Sequence, residues 1–295
     1  MSYFKLKKFR GMDLFLLVFF TTASLVTLYP FWHCLVGSLI PYHIYMQKVL
    51  MIWPDNLTFD AYAFVLKQGQ IFNPLKVTLA ITVVGTLANL MVTTFVAYGL
   101  SKKFPGSVLV TYMVVFTMFV SAGLIPNYLL YKQLNLINSI GVYIIPCLIN
   151  TFYLIIMRTY FSGFPVEVEE AAHIDGYSDF GIFFRIVLPL SKPMLAAIAL
   201  FTAVDYWNTF SQSVFFITDF NKKTLQDFLY MMINDNAMNG AGTGMSTMAG
   251  SLGKTVFSET IKLANTVISV IPILIVYPFL QKYFTSGIMI GAIKG

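Results

Sequence analysis

Acidic side chains are scarce in this hydrophobic chain, and several of them lie close together. Of the 13 aspartate and glutamate residues, five fall between positions 167 and 179: Glu167, Glu169, Glu170, Asp175 and Asp179. Pro165, just before them, fits the first turn of a helix, where a missing N–H costs nothing. Carboxylates near a helix start interact favourably with the helix dipole and can form charged hydrogen bonds to a partner. The cluster predicts a docking surface, with a plain interfacial connector as the alternative.

The residues after this cluster predict a short helix, a turn and a second short helix. Ala171 and Ala172 favour a helix, and Gly176 permits a sharp turn. Apolar residues then recur at spacings of three and four, which predicts one apolar helix face: Phe180, Phe183, Phe184 and Val187. Pro189 and Pro193 are expected to end this second helix before a new apolar run.

Composition places the rest of the chain in a lipid bilayer. Of the 295 residues, 57% are hydrophobic and 11% are charged, whereas soluble domains carry about 25% charged residues. A helix needs roughly 20 apolar residues to cross the hydrocarbon core. Six runs are long enough: about 12–36, 77–100, 107–130, 139–160, 192–217 and 262–284. We therefore predict an all-α polytopic membrane protein with six transmembrane helices in a single domain, residues 1–295. The acidic loop, about 161–191, then joins spans four and five.

Lysine and arginine positions predict which loops face the cytoplasm. Basic residues concentrate before the first span, after the second span and around the acidic loop: Lys5, Lys7, Lys8, Arg10, Lys102, Lys103, Arg158, Arg185 and Lys192. The short loop after the third span holds only Lys132. Both termini and the acidic loop are therefore predicted to be cytoplasmic, and the longer loops, 37–76 and 218–261, to face outward. The net charge of +6 follows from this topology and does not indicate nucleic-acid binding.

The remaining residues with chemical potential do not form a reactive cluster. His33, His43 and His173 are scattered without ligand spacing, so no metal site is predicted. Cys34 and Cys147 both fall inside spans and are interpreted as buried thiols outside any disulfide framework. Neither paired acids nor a histidine–cysteine cluster lies at membrane depth, and the chain is predicted not to be an enzyme.

The acidic loop matches a longer motif. Residues 170–189 fit the pattern E-A-A-x3-G-x9-I-x-L-P, with its fixed positions at Glu170, Ala171, Ala172, Gly176, Ile186, Leu188 and Pro189. Seven such positions coincide by chance in fewer than about one in ten million placements. The pattern is similar to the cytoplasmic loop signature of the membrane subunits of bacterial ABC importers. Tyr206-Trp207-Asn208 and the terminal Gly291-Ala292-Ile293-Lys294-Gly295 resemble the carbohydrate-uptake branch, including the smaller maltose permease subunit and the LplC-type oligosaccharide permeases.

This resemblance implies a type I ABC importer permease fold in a bacterial inner membrane, with a coupling helix in the acidic loop. ATPase contacts would come from Glu169, Glu170, Ala171, Ala172, Asp175, Gly176, Leu188 and Pro189. A homologous second permease would complete the pathway. Two separate ATP-binding subunits would hydrolyse ATP with magnesium, and an extracellular or periplasmic sugar-binding protein would deliver the carbohydrate. The chain itself would hold no cofactor.

Asp205 is the carboxylate that falls deep inside a predicted span. An ionisable residue there is costly and usually faces a bundle interior, a partner or a water-filled path. Tyr206, Trp207 and Asn208 follow it, and together they offer the aromatic faces and hydrogen-bonding groups that suit a sugar pathway. On a helix, Asp205 and Asn208 share a face from which Trp207 diverges. Three roles for Asp205 stay open: pairing with another subunit, direct sugar contact, or gating.

Other interpretations also stay open from sequence alone. An ABC permease for a non-sugar solute would carry the same loop. An ion-coupled secondary transporter would show inverted repeats and several intramembrane carboxylates, whereas only Asp205 lies deep in a span. Residues 234–253, with five glycines, form either a flexible outer loop or a contact for the binding protein.

Overall fold

The computed structural model describes residues 11–47, 50–54, 56–234 and 259–275. All regular structure in these ranges is helical, which confirms the prediction of a helical chain without strands. The chain divides into two compact units. The first comprises Met1–Gly69 and Met232–Val270, and the second comprises Gln70–Met231 and Ile271–Gly295.

The first unit is built around one long helix. Its helices are α1 (Gly11–Ser38), α2 (Tyr42–Tyr45) and α3 (Asp60–Gln68), and residues 259–270 are helical as well. The 28 residues of α1 extend about 42 Å at 1.5 Å per residue. Only its C-terminal end is buried: Val36 joins Ile40 and Met51 in a small core, and the hydroxyl groups of Ser38 and Tyr62 hydrogen-bond at 2.6 Å.

The second unit holds the predicted loop and most of the later helices. They are α4 (Phe72–Ser101), α5 (Ser107–Phe119), α6 (Leu124–Gln133), α7 (Gly141–Ile144), α8 (Thr151–Ser162), α9 (Val166–Ile174), α10 (Asp179–Ile182), α11 (Leu188–Leu190), α12 (Lys192–Trp207), α13 (Ser211–Phe216) and α14 (Leu225–Asn234), which begins in this unit. A 3-10 turn at Ile145–Cys147 follows α7, a π-helical turn at Phe183–Val187 joins α10 to α11, and a second 3-10 turn covers Phe220–Lys222.

Helix α4 is the centre of the second unit and packs against α8 and α12. It is apolar on all sides, as expected of a helix surrounded by protein and lipid. One core cluster lies at its C-terminal end, where Ala97 and Leu100 meet residues of α8, α9 and α12. A second cluster lies at its N-terminal end, where Val77 and Ile81 meet α7 and α13. Helix α4 therefore spans the unit from one core to the other.

The described residues contain two kinds of helix that could cross a bilayer, and the predicted number of six spans stays a prediction. Among the described residues, α1 and α4 are each long and apolar enough to cross a bilayer as single helices. Three bent pairs pass the same test together: α5 with α6 at 114°, Gly141–Cys147 with α8 at 43°, and Asp179–Leu190 with α12 at 78°. The region predicted as the third span is thus two helices, because residues 120–123 interrupt it. The sixth predicted span lies outside the described residues after position 275, as does most of the glycine-rich segment 234–253.

The acidic loop has the predicted helix–turn–helix form. Helix α9 is followed by a turn, by α10 and by the π-helical turn that leads into α11. The second helix is less regular than a plain α-helix. Pro189 cannot donate a hydrogen bond back along the helix, and widening the preceding turn to a π-type accommodates its ring. The helix ends at Leu190, between Pro189 and Pro193, the two prolines expected to end it.

Candidate functional site

Helix α9 presents two neighbouring glutamates to different surroundings. Glu169 faces the protein: the ammonium group of Lys102 forms an ion pair with its carboxylate, and the hydroxyl of Tyr98 donates to it at 3.3 Å. Its side chain is 16% exposed. Glu170 is exposed at the surface. Successive residues on a helix differ by about 100° in direction, so one carboxylate anchors the helix and the other remains available to a partner.

The underside of the loop is fixed by apolar packing. Ala172 is 4% exposed and belongs to the core cluster at the end of α4. The ring of Phe95 on α4 stacks with Phe180 at 6.0 Å and meets Phe183 edge-on at 5.8 Å. Tyr98 contacts Phe183 as well, with 5.0 Å between ring centroids. These contacts confirm an apolar face on the second helix, and they join the loop to α4.

Gly176 ends α9 in the manner the sequence predicts. Its φ is +81°, a left-handed conformation that glycine adopts without steric cost. The N–H of Gly176 donates to the carbonyl of His173 at 3.0 Å, and the N–H of Tyr177 donates to that of Ala172 at 3.0 Å. This pair of bonds is a Schellman motif, which satisfies carbonyl groups at the end of the helix.

The outer face of the turn is a shallow polar depression of about 330 Å³. Asp175, Gly176 and Tyr177 line it from the turn, and Arg185 lines it from the second helix. The Arg185 guanidinium lies 5.6 Å from the centre of the Tyr177 ring. With Glu170 nearby in sequence, the loop offers both signs of charge on one accessible surface.

The eight residues predicted for ATPase contact therefore separate into two groups. Glu170, Ala171, Asp175, Gly176 and Pro189 are exposed. Glu169, Ala172 and Leu188 are partly or fully buried, and the contacts of Glu169 and Ala172 hold the loop in place.

A second polar feature surrounds Asp205. A cavity of about 330 Å³ is lined by Asp205, Tyr206 and Asn208 of the predicted pathway set. The hydroxyl of Tyr153 on α8 donates to the Asp205 carboxylate at 2.7 Å. Trp207 does not line this cavity: it is 5% exposed and packs into the protein. The structure therefore places Trp207 away from the helix face that Asp205 and Asn208 share, as helical geometry predicts.

The break between α7 and α8 forms another wall of this cavity. Pro146, Cys147, Ile149 and Asn150 all line it. The freed carbonyl of Cys147 accepts a hydrogen bond from the Asn89 amide at 2.8 Å and one from the Tyr206 hydroxyl at 3.3 Å. Asn150 caps α8, since its side-chain oxygen accepts from the N–H groups of Phe152 and Tyr153. Irregular backbone is tolerated within a membrane protein where such partners or a cavity satisfy it.

Sequence reasoning missed several residues that build these features. Asn89 and Tyr153 lie in apolar runs, and a polar residue within such a run is the signal that would have found them. A buried pair was missed as well. The Lys223 ammonium and the Ser213 hydroxyl each donate to the Asp227 carboxylate at 2.7 Å. Lys223 and Asp227 stand four positions apart, the spacing of a helical ion pair.

Comparison with known proteins decides the family. Residues 13–290 match the family model described as "Binding-protein-dependent transport system inner membrane component". The chain belongs to this family. Among its relatives is the "Polygalacturonan/rhamnogalacturonan transport system permease protein YtcP" of Bacillus subtilis (strain 168). The two are 38% identical over 290 residues, which cover 98% of this chain and 100% of the relative.

A further relative and a solved structure are similar over nearly the whole chain. Protein LplC of Bacillus subtilis (strain 168) is 38% identical over 289 residues, 97% of this chain and 96% of its own length. Among solved structures, one chain matches with a TM-score of 0.86 and 30% identity, covering 96% of this chain and 100% of that one. It comes from the crystal structure of a bacterial ABC transporter involved in the import of the acidic polysaccharide alginate. The chain therefore has the ABC importer permease fold.

Proposed function

We propose that this chain is a permease subunit of an ATP-driven carbohydrate importer. It forms part of the translocation path and couples to ATPase subunits through the loop around Glu170. It performs no covalent chemistry itself, and ATP and magnesium are used by separate ATPase subunits.

The geometry of α9 is the observation that carries the coupling role. Its underside is held to the C-terminal end of α4 by Ala172 and by the pair of Glu169 with Lys102. Its outer face leaves Glu170 exposed. A helix held firmly on one side and open on the other can transmit a force applied by a docked partner to the helices behind it.

The carbohydrate assignment is supported by the named relatives. YtcP is described as a polygalacturonan/rhamnogalacturonan permease, and the similar solved chain belongs to an alginate importer. The Asp205 cavity agrees with this class, because amide, hydroxyl and aromatic groups line it together.

The mechanism would be alternating access between two states favoured by different ligands. ATP closes the two ATPase subunits, α9 moves with the groove that holds it, and the spans reopen outward. In this arrangement a second permease completes the path and a binding protein delivers the sugar. Six spans, both termini in the cytoplasm and residence in the bacterial inner membrane complete the proposal.

ATP-driven uptake by the reconstituted importer tests this function. The complex with its second permease, ATPases and binding protein is placed in proteoliposomes, and labelled oligosaccharide uptake is measured with ATP hydrolysis. We expect Glu170→Ala to lower uptake at least about tenfold while the complex still assembles, because a charged contact of roughly 1.5–3 kcal/mol is lost at the dock.

Glu167→Ala is the matched control, since Glu167 is an exposed acid on the same helix outside the motif. It should retain most of the uptake. Uptake by Glu170→Ala equal to that of wild type would contradict the coupling role, and a wild-type complex that imports no carbohydrate would contradict the substrate class.

A further inference from the structure

Among the described residues that line the Asp205 cavity, a single side chain is formally charged. The cavity lining includes asparagine, glutamine, threonine, serine and tyrosine residues. Asp205 is the only aspartate, glutamate, lysine, arginine or histidine among the described residues that line it. An anionic group entering the cavity would therefore meet a carboxylate and no compensating cation among the described residues that line it.

The hydrogen-bond donors of the cavity wall are largely directed at protein acceptors. The Asn89 amide donates to the Cys147 carbonyl at 2.8 Å, and the Asn208 amide donates to the Val204 carbonyl at 2.9 Å. The hydroxyl of Tyr206 also donates to the Cys147 carbonyl, at 3.3 Å. These hydrogen bonds stabilise the break between α7 and α8 and the end of α12. Each donor group therefore has less capacity left to hydrogen-bond a ligand.

Acceptor capacity, in contrast, remains on Asp205. A carboxylate offers about four lone-pair sites, and within the described part of the chain its side chain receives one hydrogen bond, from the Tyr153 hydroxyl at 2.7 Å. The Asp205 side chain is exposed, and it lines the cavity.

Thr202 is a buried polar residue of the cavity wall. It lines the cavity and is 2% exposed, and its hydroxyl has no hydrogen-bond partner among the described residues. A buried hydroxyl of this kind costs free energy until it is paired.

The chemistry of this wall distinguishes two kinds of saccharide. Both kinds carry ring hydroxyl groups that can donate to Asp205, and only the neutral unit carries a further hydroxyl at C6. A uronic acid unit carries a carboxylate, which accepts hydrogen bonds but cannot donate them, and its charge repels that of Asp205. Similarity of sequence and fold does not decide this point: YtcP is described as a polygalacturonan/rhamnogalacturonan permease and the similar solved chain belongs to an importer of an acidic polysaccharide, whereas the inference drawn here rests on the residues of this cavity.

We infer that the Asp205–Tyr153 pair makes this permease selective for neutral oligosaccharides over uronic acid oligosaccharides. The inference rests on the proposed carbohydrate function and specifies its substrate class. Asp205 acts as a specificity-determining residue that contacts the substrate, and Tyr153 positions its carboxylate.

Matched pairs of tetrasaccharides test this selectivity directly. A tetragalacturonide and its carboxyl-reduced counterpart, a tetragalactoside, differ only at C6, and a mannuronide pair is prepared in the same way. Binding of each to the four-subunit complex in nanodiscs, without binding protein, is measured by fluorescence anisotropy at pH 7. This excludes the selectivity of the binding protein from the measurement.

We expect wild type to bind the neutral member of a pair at least about tenfold more tightly, a difference of about 1.4 kcal/mol. Asp205→Asn preserves the shape and the hydrogen bond from Tyr153, and it should reduce the ratio of dissociation constants at least about threefold, an effect of roughly 0.7 kcal/mol. Asp219→Asn makes the same charge change outside the cavity, at a residue whose side chain caps the 3-10 turn. It should leave the ratio unchanged.

The outcomes distinguish a failure of the selectivity from a failure of the proposed carbohydrate import function. Equal binding of both members by wild type, or an unchanged ratio in Asp205→Asn, overturns the selectivity while a carbohydrate importer still stands. Binding of no saccharide in either pair, together with no ATP-driven uptake of neutral oligosaccharides, overturns both.

Discussion

At the scale of single residues, Glu169 and Glu170 show how adjacent identical side chains acquire different roles. Their chemistry is the same, but α9 lies against the end of α4 and directs Glu169 towards Lys102 and Tyr98. Lys102 also lies 4.4 Å from the centre of the Tyr98 ring, which adds a cation–π contact. The three side chains form one polar clamp beneath the loop, and Glu170 stays outside it.

Reversing the charges of this clamp should show that the two partners act together. Lys102→Glu places two carboxylates side by side, and the complex should lose up to about 1 kcal/mol of stability because the pair is partly exposed. The double variant Lys102→Glu with Glu169→Lys restores opposite charges and should recover much of that loss. Thermal unfolding of the purified complex measures both.

Lys103→Glu is the matched control, because Lys103 neighbours Lys102 in sequence without forming the pair with Glu169. A double variant no more stable than the Lys102→Glu single variant would show that the contact contributes nothing as a pair.

At the scale of elements, α4 and α12 approach closely where a glycine faces a tyrosine ring. A Cβ atom added to Gly85 would lie 2.5 Å from Cζ of Tyr206, too close for real atoms. Because Gly85 has no side chain, the Tyr206 ring fits against α4. The Tyr206 hydroxyl then donates to the Cys147 carbonyl, in the break between α7 and α8, at 3.3 Å. The lack of a side chain at Gly85 on α4 thus allows the position of Tyr206, a cavity residue on α12.

Adding a methyl group at this contact should destabilise the second unit. Gly85→Ala should cost about 1–3 kcal/mol, since overpacking forces the tyrosine or the helices to shift. Gly99→Ala is the control on the same helix, where an added Cβ meets nothing within 4 Å. It should be neutral or stabilising because alanine favours a helix over glycine.

The midpoint of thermal unfolding in detergent compares the two variants. Equal midpoints for Gly85→Ala and Gly99→Ala would mean that Tyr206 moves aside at no cost and that the close approach is unimportant.

At the scale of the whole molecule, the described residues leave long apolar faces uncovered. None of the 13 residues of α5 is buried, and in α1 only the last three residues are. Apolar area of this size is covered by lipid or by another subunit in a membrane. The proposed second permease is the partner that such a half-pathway requires.

Expression of the chain alone should therefore yield no functional importer. With ATPases and binding protein but no second permease, ATP-driven uptake should fall to background, because half of the path is missing. Co-expression with the second permease should restore uptake and produce a stable complex on size-exclusion chromatography. A homodimer of this chain that imports oligosaccharide at a comparable rate would contradict the requirement for a different permease.

The sequence by itself determined the membrane class, the family and the helix–turn–helix form of the acidic loop. These depend on local properties: apolar run length, helical spacing and the conformational freedom of Gly176 at its positive φ. The shared face of Asp205 and Asn208, with Trp207 turned away from it, also follows from helical geometry within one element.

Only the tertiary structure decided which polar groups meet across elements. Asn89 donates to Cys147, Tyr153 donates to Asp205, and Lys102 pairs with Glu169. Each pair joins residues far apart in the chain, and their meeting depends on where α4, α8, α9 and α12 break, bend and pack. Periodicity describes the faces of one helix, whereas a buried carbonyl or carboxylate is satisfied by whichever helix is packed beside it.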